Sequence, residues 1–203
     1  MGFYARVIIP TIMDWTMGGP EIAAYRQALL ADIAGTVLEI GVGTGLNLAH
    51  YPETVTALTT IDPNPGMSRR ARARLTALNC PAEHQVLGGE TLPMAAASFD
   101  HVVSTWTLCS IAQVEQALAE IRRVLKPGGQ FHFIEHGLGD RPTLQTWQHR
   151  LTPLQKIIAD GCHLDRDIPE LVATQFSQVA IEAFNIPSLP KIVGYTYKGV
   201  ATK

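Results

Sequence analysis

The sequence predicts a doubly wound α/β fold: a mostly parallel seven-stranded sheet that ends in an antiparallel hairpin. Three observations predict it. Between residues 36 and 135, short strand-like runs alternate with stretches of helical periodicity, the order that builds parallel sheets through right-handed crossovers. The first of these runs leads straight into alternating glycines, Gly41, Gly43 and Gly45. The last two runs, residues 178–184 and 192–201, are separated only by residues 185–190. No crossover helix fits in that gap, so those two strands should pair antiparallel.

The elements follow in order. Residues 36–40 read as a buried strand and residues 55–61 as a second, closed by Asp62. Met67, Ala71, Leu75 and Leu78 recur at helical spacing. Residues 83–87 form a weaker third strand and residues 99–104 a fourth. Val114, Ala117, Leu118, Ile121 and Leu125 make an apolar helix stripe. Lys126-Pro127-Gly128-Gly129 should stop that helix, because proline removes a donor and glycine admits positive φ. Residues 131–135 are a fifth strand. The whole chain, 1–203, reads as one domain. Residues 1–34 form a helical cap, 36–135 a ligand-binding core, and 136–203 a covering segment with the terminal hairpin.

Composition narrows the function classes. A hydrophobic content of 46% and a charged content of 17% suit a soluble globular enzyme. The net charge of −2 gives no electrostatic footprint for nucleic acid. Arg69, Arg70, Arg72 and Arg74 read as a solvated helix face. Cys80, Cys109 and Cys162 contain no CxxC pair and make a poor disulfide framework, so a reduced, cytoplasmic setting is expected. No apolar run approaches the ~20 residues of a membrane span. His132 and His136 lie four apart on a strand-like run with no third ligand at metal-site spacing, so no metal is expected.

Val37-Leu38-Glu39-Ile40-Gly41-Val42-Gly43-Thr44-Gly45 carries the strongest signal. Glycine lets a backbone approach a ligand where a Cβ would clash, and a helix beginning there would offer free N–H groups. The dinucleotide pattern GxGxxG would need a glycine where Leu46 stands, which argues against a nicotinamide oxidoreductase. Asp62, at the end of the second strand, has the chemistry to accept both hydroxyls of a ribose. An N-cap role in Asp62-Pro63-Asn64-Pro65 is the plainer alternative.

These runs, together with Gly89-Glu90-Thr91-Leu92-Pro93 and the segments 98–111 and 121–129, resemble the small-molecule branch of class I S-adenosylmethionine-dependent methyltransferases. A narrower likeness, in segments 45–52, 107–111 and 125–136 and above all Asp160-Gly161-Cys162-His163-Leu164-Asp165-Arg166, is to the methyltransferase-like thiol S-methyltransferases. The resemblance implies that the glycine loop cradles the methionine part of the donor. Glu39, Gly41, Gly43, Thr44, Gly45 and Asn47 would belong to that cradle. It places Asp62 at the ribose and Gly89, Glu90 and Thr91 around the adenine, with Pro63 and Met67 also among the donor-binding residues. Thr105 would touch the donor, and Tyr4 would close over it. The cofactor implied is S-adenosylmethionine, leaving as S-adenosylhomocysteine.

The expected function is methyl transfer to a small-molecule acceptor, with a thiol first. C- or N-methylation of a quinone precursor or phospholipid head group is the alternative, and a donor-binding module without activity is a different class. In-line displacement at a sulfonium asks mainly for alignment and exclusion of water. His136, at the end of the fifth strand, and Asp160, in the covering segment, are the candidate catalytic residues.

Overall fold

A computed structural model describes residues 7–203. The N-terminal helices are α1 (Ile9–Met17) and α2 (Pro20–Leu30). There follow β1 (Gly35–Ile40), β2 (Val55–Ile61), α3 (Pro65–Leu75), β3 (Ala82–Gln85), β4 (Phe99–Thr105), α4 (Val114–Val124) and β5 (Leu125–His136). The C-terminal third holds α5 (Pro142–Ile158), α6 (Ile168–Ala173), β6 (Gln178–Asn185), α7 (Lys191–Gly194) and β7 (Tyr195–Thr202). One seven-stranded sheet runs in the order β3-β2-β1-β4-β5-β7-β6. Strands β1 to β5 pair parallel; β7 pairs antiparallel with both β5 and β6.

The centre of the sheet is apolar on both faces, as a parallel sheet covered on two sides requires. Leu38, Ile40, Val102, Phe131 and Phe133 point to the face packed by α4 and α6. Val37, Val103 and Ile134 point to the other face, against Leu29 and Leu30 of α2 and Ala71 of α3. Phe131 is fully buried and stacks on Phe133 and Phe176 at centroid distances of 5.2 and 5.9 Å.

Four elements differ from the sequence expectation. The fifth strand spans Leu125–His136 rather than 131–135, so the helix stops one residue early, at Val124, and Lys126-Pro127-Gly128-Gly129 lies within the strand. The third strand spans Ala82–Gln85 rather than 83–87, because the chain turns off toward Gly88 and Gly89 at the sheet edge. The final strand begins at Tyr195, not 192: Pro190 leads into the short helix α7, and the Ile186 amide bonds to the Gly194 carbonyl to close the connection. No α-helix follows the glycine loop. Residues 41–47 form turns and only Leu48–His50 winds, as a single 3-10 turn. Tyr51 precedes Pro52 and is extended (φ −68°, ψ 128°), as a residue before proline tends to be.

Candidate active site

The carboxyl ends of β1, β2 and β4 open on a cavity of about 450 Å³, the place where open α/β sheets bind ligands. The loop after β1 forms its floor. The amides of Gly41 and Val42 bond to the Ile61 carbonyl and fasten the loop to the end of β2. Gly41 and Gly43 both hold positive φ, 69° and 57°. A Cβ on Gly41 would collide with the Thr107 side chain, whereas one on Gly43 would project into open space. The glycine at 43 therefore keeps room for a ligand, and the glycine at 41 keeps room for the protein itself.

Asp62 stands beside this loop. Its Oδ2 accepts from the Gly43 amide at 2.9 Å, and its Oδ1 from the Asn64 amide at 2.8 Å. Two backbone bonds leave the remaining lone pairs of a buried carboxylate facing the cavity. The helix cap belongs to Asn64, whose side chain accepts from the Gly66 amide, with Pro65 beginning α3. Burial pushes the Asp62 carboxyl up to about 6, against the pull of its two backbone bonds, and the Asp160 carboxylate adds to the rise.

Thr44, Pro63, Met67, Gly89, Glu90 and Thr105 also line the cavity, as does Asp160 at its exposed rim. Asp160 holds φ of 50°, and so does Trp106, which also lines the cavity. Of the three non-glycine residues with positive φ among those described, two are therefore at this cavity, where such strain tends to gather.

Several expected residues lie elsewhere. Glu39 is buried behind the loop. It accepts from Asn47 Nδ2 at 2.9 Å and Tyr51 Oη at 2.8 Å, and burial pushes its carboxyl up to about 7. Asn47 in turn bonds Thr105 Oγ1 at 3.1 Å. Glu39 and Asn47 thus brace the loop from below, and Gly45, also off the cavity, gives Leu48 and Ala71 room to pack beneath it. The Thr91 side chain turns outward and accepts from Gln116 at 3.4 Å. Tyr4 lies outside the described residues.

His136 is not at the cavity either. It is buried with Nε2 2.8 Å from Cys162 Sγ, and burial pulls its imidazole down to about 4. Its imidazole packs against the turn after α5 rather than the cavity. Its neighbour Glu135 is fully buried as well. It accepts from Ser104 Oγ and from the amides of Thr107 and Leu108, which shapes the loop after β4.

Two features escaped the sequence reading. Arg26 of α2 lines the cavity, bonds Asn47 Oδ1 at 2.7 Å and Thr105 Oγ1 at 3.0 Å, and lies 4.7 Å from the Trp106 ring centre. The signal was an arginine in the buried stripe Ile22, Arg26, Leu29, Leu30. The arginines of α3 are also more than a solvated face. Arg70 and Arg74 form ion pairs with Asp14 of α1 at 2.9 and 3.0 Å, and Thr44 Oγ1 donates to the same carboxylate. These bonds hold α1 so that Ile12, Met13 and Met17 cover one side of the cavity.

The arrangement fits the expected donor. It has a backbone cradle that a side chain at 43 would fill, a carboxylate with spare acceptor capacity, and an apolar wall. Comparison with known proteins agrees. Residues 38–133 match the family described as a methyltransferase domain. The chain is 35% identical over 197 residues to thiol S-methyltransferase TMT1A of Homo sapiens, covering 88% of this chain and 80% of that protein. It is 38% identical over 154 residues to thiol S-methyltransferase TMT1B of Rattus norvegicus, covering 72% of this chain and 62% of that one. In fold it is similar to a chain in the complex between the Haloferax volcanii Trm112 methyltransferase activator and the putative methyltransferase, with a TM-score of 0.75, 19% identity and coverage of 98% and 95%. With its glycine cradle, its strand-end carboxylate and these relatives, the chain belongs to the S-adenosylmethionine-dependent methyltransferases.

Proposed function

We propose that the methyl acceptor is a small thiol. The observation that carries this reading is Asp160, a carboxylate held at the cavity rim inside the very segment that most resembles thiol methyltransferases. Likeness to relatives named for thiol S-methylation supports it. Within the same reading, Asp62 receives the ribose hydroxyls, Glu90 the adenine amine, and the loop from Gly41 to Thr44 the methionine part.

S-adenosylmethionine supplies a methyl group bonded to a positively charged sulfur that leaves as a neutral thioether. The chain's share is to align and to shield. Met13, Met17, Trp106 and Ile158 present apolar surface around the cavity, which keeps water from competing for the methyl. Asp160 faces the same space and holds the acceptor's S–H. As the acceptor sulfur bonds the methyl carbon, its proton becomes far more acidic than a carboxylic acid. A carboxylate then suffices to take it, although an isolated thiol ionises only near pH 8.5.

Asp160→Asn is expected to lower turnover on thiols by roughly 10- to 100-fold near neutral pH. This is below the usual range for a general base, because thiols are already partly ionised there. The donor dissociation constant should stay within a factor of about two. The gap between mutant and parent should close above the pKa of the acceptor, where the thiolate needs no base. A panel of thiols, amines and phenols with labelled donor, run from pH 6 to 10, tests this. Normal turnover of every acceptor by Asp160→Asn, or activity confined to amines or carbon nucleophiles, overturns the thiol reading.

Donor affinity carries its own pH dependence. An ionised Asp62 accepts from hydroxyls and a protonated one loses that capacity. Its carboxyl titrates at about 6, so affinity should hold above that pH and fall below it by up to about tenfold per pH unit. Calorimetric titration with S-adenosylhomocysteine between pH 5 and 8 reads this directly.

A further inference from the structure

Cys109, His136 and Cys162 meet in the interior, and the donor site described above uses none of them. Cys109 comes from the loop after β4, His136 from the end of β5, and Cys162 from the turn after α5. Their Sγ and imidazole nitrogen atoms all lie within 4.8 Å of one another. All three residues are buried, and both cysteines are free thiols. From this geometry we propose that they form a binding site for a thiophilic divalent cation of the zinc class.

The donor set fits such an ion. Two thiolates and one imidazole are zinc ligands of the first rank, with Zn–S of about 2.3 Å and Zn–N of about 2.0 Å. Donors around a tetrahedral ion with those bonds stand roughly 3.5–3.7 Å apart. Cys162 Sγ and His136 Nε2, at 2.8 Å, need separate by less than an ångström to admit it. Binding expels the two thiol protons. The ion's two positive charges then balance two thiolates, so the buried set is neutral. The Arg166 guanidinium, anchored on the Leu108 and Ile111 carbonyls, holds the loop that carries Cys109. Three protein donors leave a fourth corner for water, as in open zinc sites.

The location gives the ion a task. The His163 amide bonds the Cys109 carbonyl at 2.9 Å, so the turn after α5 already lies against the loop after β4. The next residue after Cys109 is Ser110, and Asp160 stands two before Cys162; both line the donor cavity. An ion held by Cys109, His136 and Cys162 fastens these two loops to the sheet and fixes the rim that carries Asp160. It acts behind the cavity wall, since none of its three ligands faces the cavity.

The test uses the full chain, kept reduced with a phosphine. Zinc is titrated against a chromophoric chelator, and cobalt is titrated in a parallel sample. One equivalent of zinc should bind, and cobalt should produce a thiolate-to-metal charge-transfer band. Zinc should also raise the thermal unfolding midpoint and slow the reaction of two thiols with a disulfide reagent. Cys109→Ser and Cys162→Ser should each weaken binding by roughly 100-fold or more. Cys80→Ser, a cysteine outside the cluster, should bind as the parent does. Should the serine variants fail to fold, thiol protection in the parent chain still decides the matter. The proposal is overturned by reduced, folded protein that takes up no zinc, shows no cobalt charge-transfer band and leaves its thiols unprotected. Binding that survives both serine substitutions, or a Cys109–Cys162 disulfide whose reduction uncovers no metal affinity, overturns it equally.

Discussion

Gly43→Val is expected to weaken donor binding severely while the chain still folds. Two effects act together. The residue holds φ of 57°, which a β-branched side chain adopts only with strain of about 1–3 kcal/mol. The new side chain also projects into the open space of the cradle, because among the described residues nothing but the Gly41 carbonyl oxygen, 3.9 Å away, lies near its first carbon. The strain taxes stability; the occupied space taxes affinity. Binding should weaken by roughly 100-fold or more, about 3 kcal/mol. Gly43→Ala should fall between, since it adds the strain and only one carbon. Gly41→Ala is the contrasting control: its Cβ would collide with the Thr107 side chain, so it should damage folding first. Calorimetry with S-adenosylhomocysteine beside thermal unfolding separates the two. A Gly43→Val protein that binds the donor within about threefold of the parent would mean the donor does not back onto this loop.

Asp62→Ala should weaken donor binding by roughly 2–5 kcal/mol, because two ribose hydroxyls lose a charged partner at once. The substitution also frees the Gly43 and Asn64 amides, so part of the loss comes from a loosened loop. Thermal unfolding without donor helps to apportion it. Each Asp62 oxygen accepts one backbone amide, so a loss of loop support lowers the unfolding midpoint, whereas the loss of the ribose contact lowers affinity alone. Normal donor binding by Asp62→Ala would leave Asp62 as a tie between the loop and β2 and nothing more.

What was legible in the sequence was local. Gly41, Gly43 and Gly45 follow a strand within a few residues, so their spacing alone reports a cradle, and Asp62 reports itself by ending the next strand. The hairpin was legible from the shortness of its connection, but not the insertion of β7 between β5 and β6, which depends on which sheet edge is free. The helix expected after the loop failed for a local reason that was present, Tyr51 before Pro52. The rest needed the third dimension. Asp14 meets Arg70 and Arg74 across more than fifty residues. His136 looked like a base at a strand end because position along β5 does not reveal depth. Cys109, His136 and Cys162 have no common spacing, so no ligand pattern drew them together.

The tie between α1 and α3 bears on one wall of the site. A wall held by Ile12, Met13 and Met17 alone would open at a rate governed by apolar contact. Here the wall is tied down by a carboxylate shared by two guanidinium groups, each a third or more exposed. Such pairs are individually weak and are screened over a Debye length of about 8 Å at physiological ionic strength. If spent donor leaves past α1, a step that paces many enzymes with closing lids, its departure would quicken with salt, whereas the methyl transfer behind the wall would not.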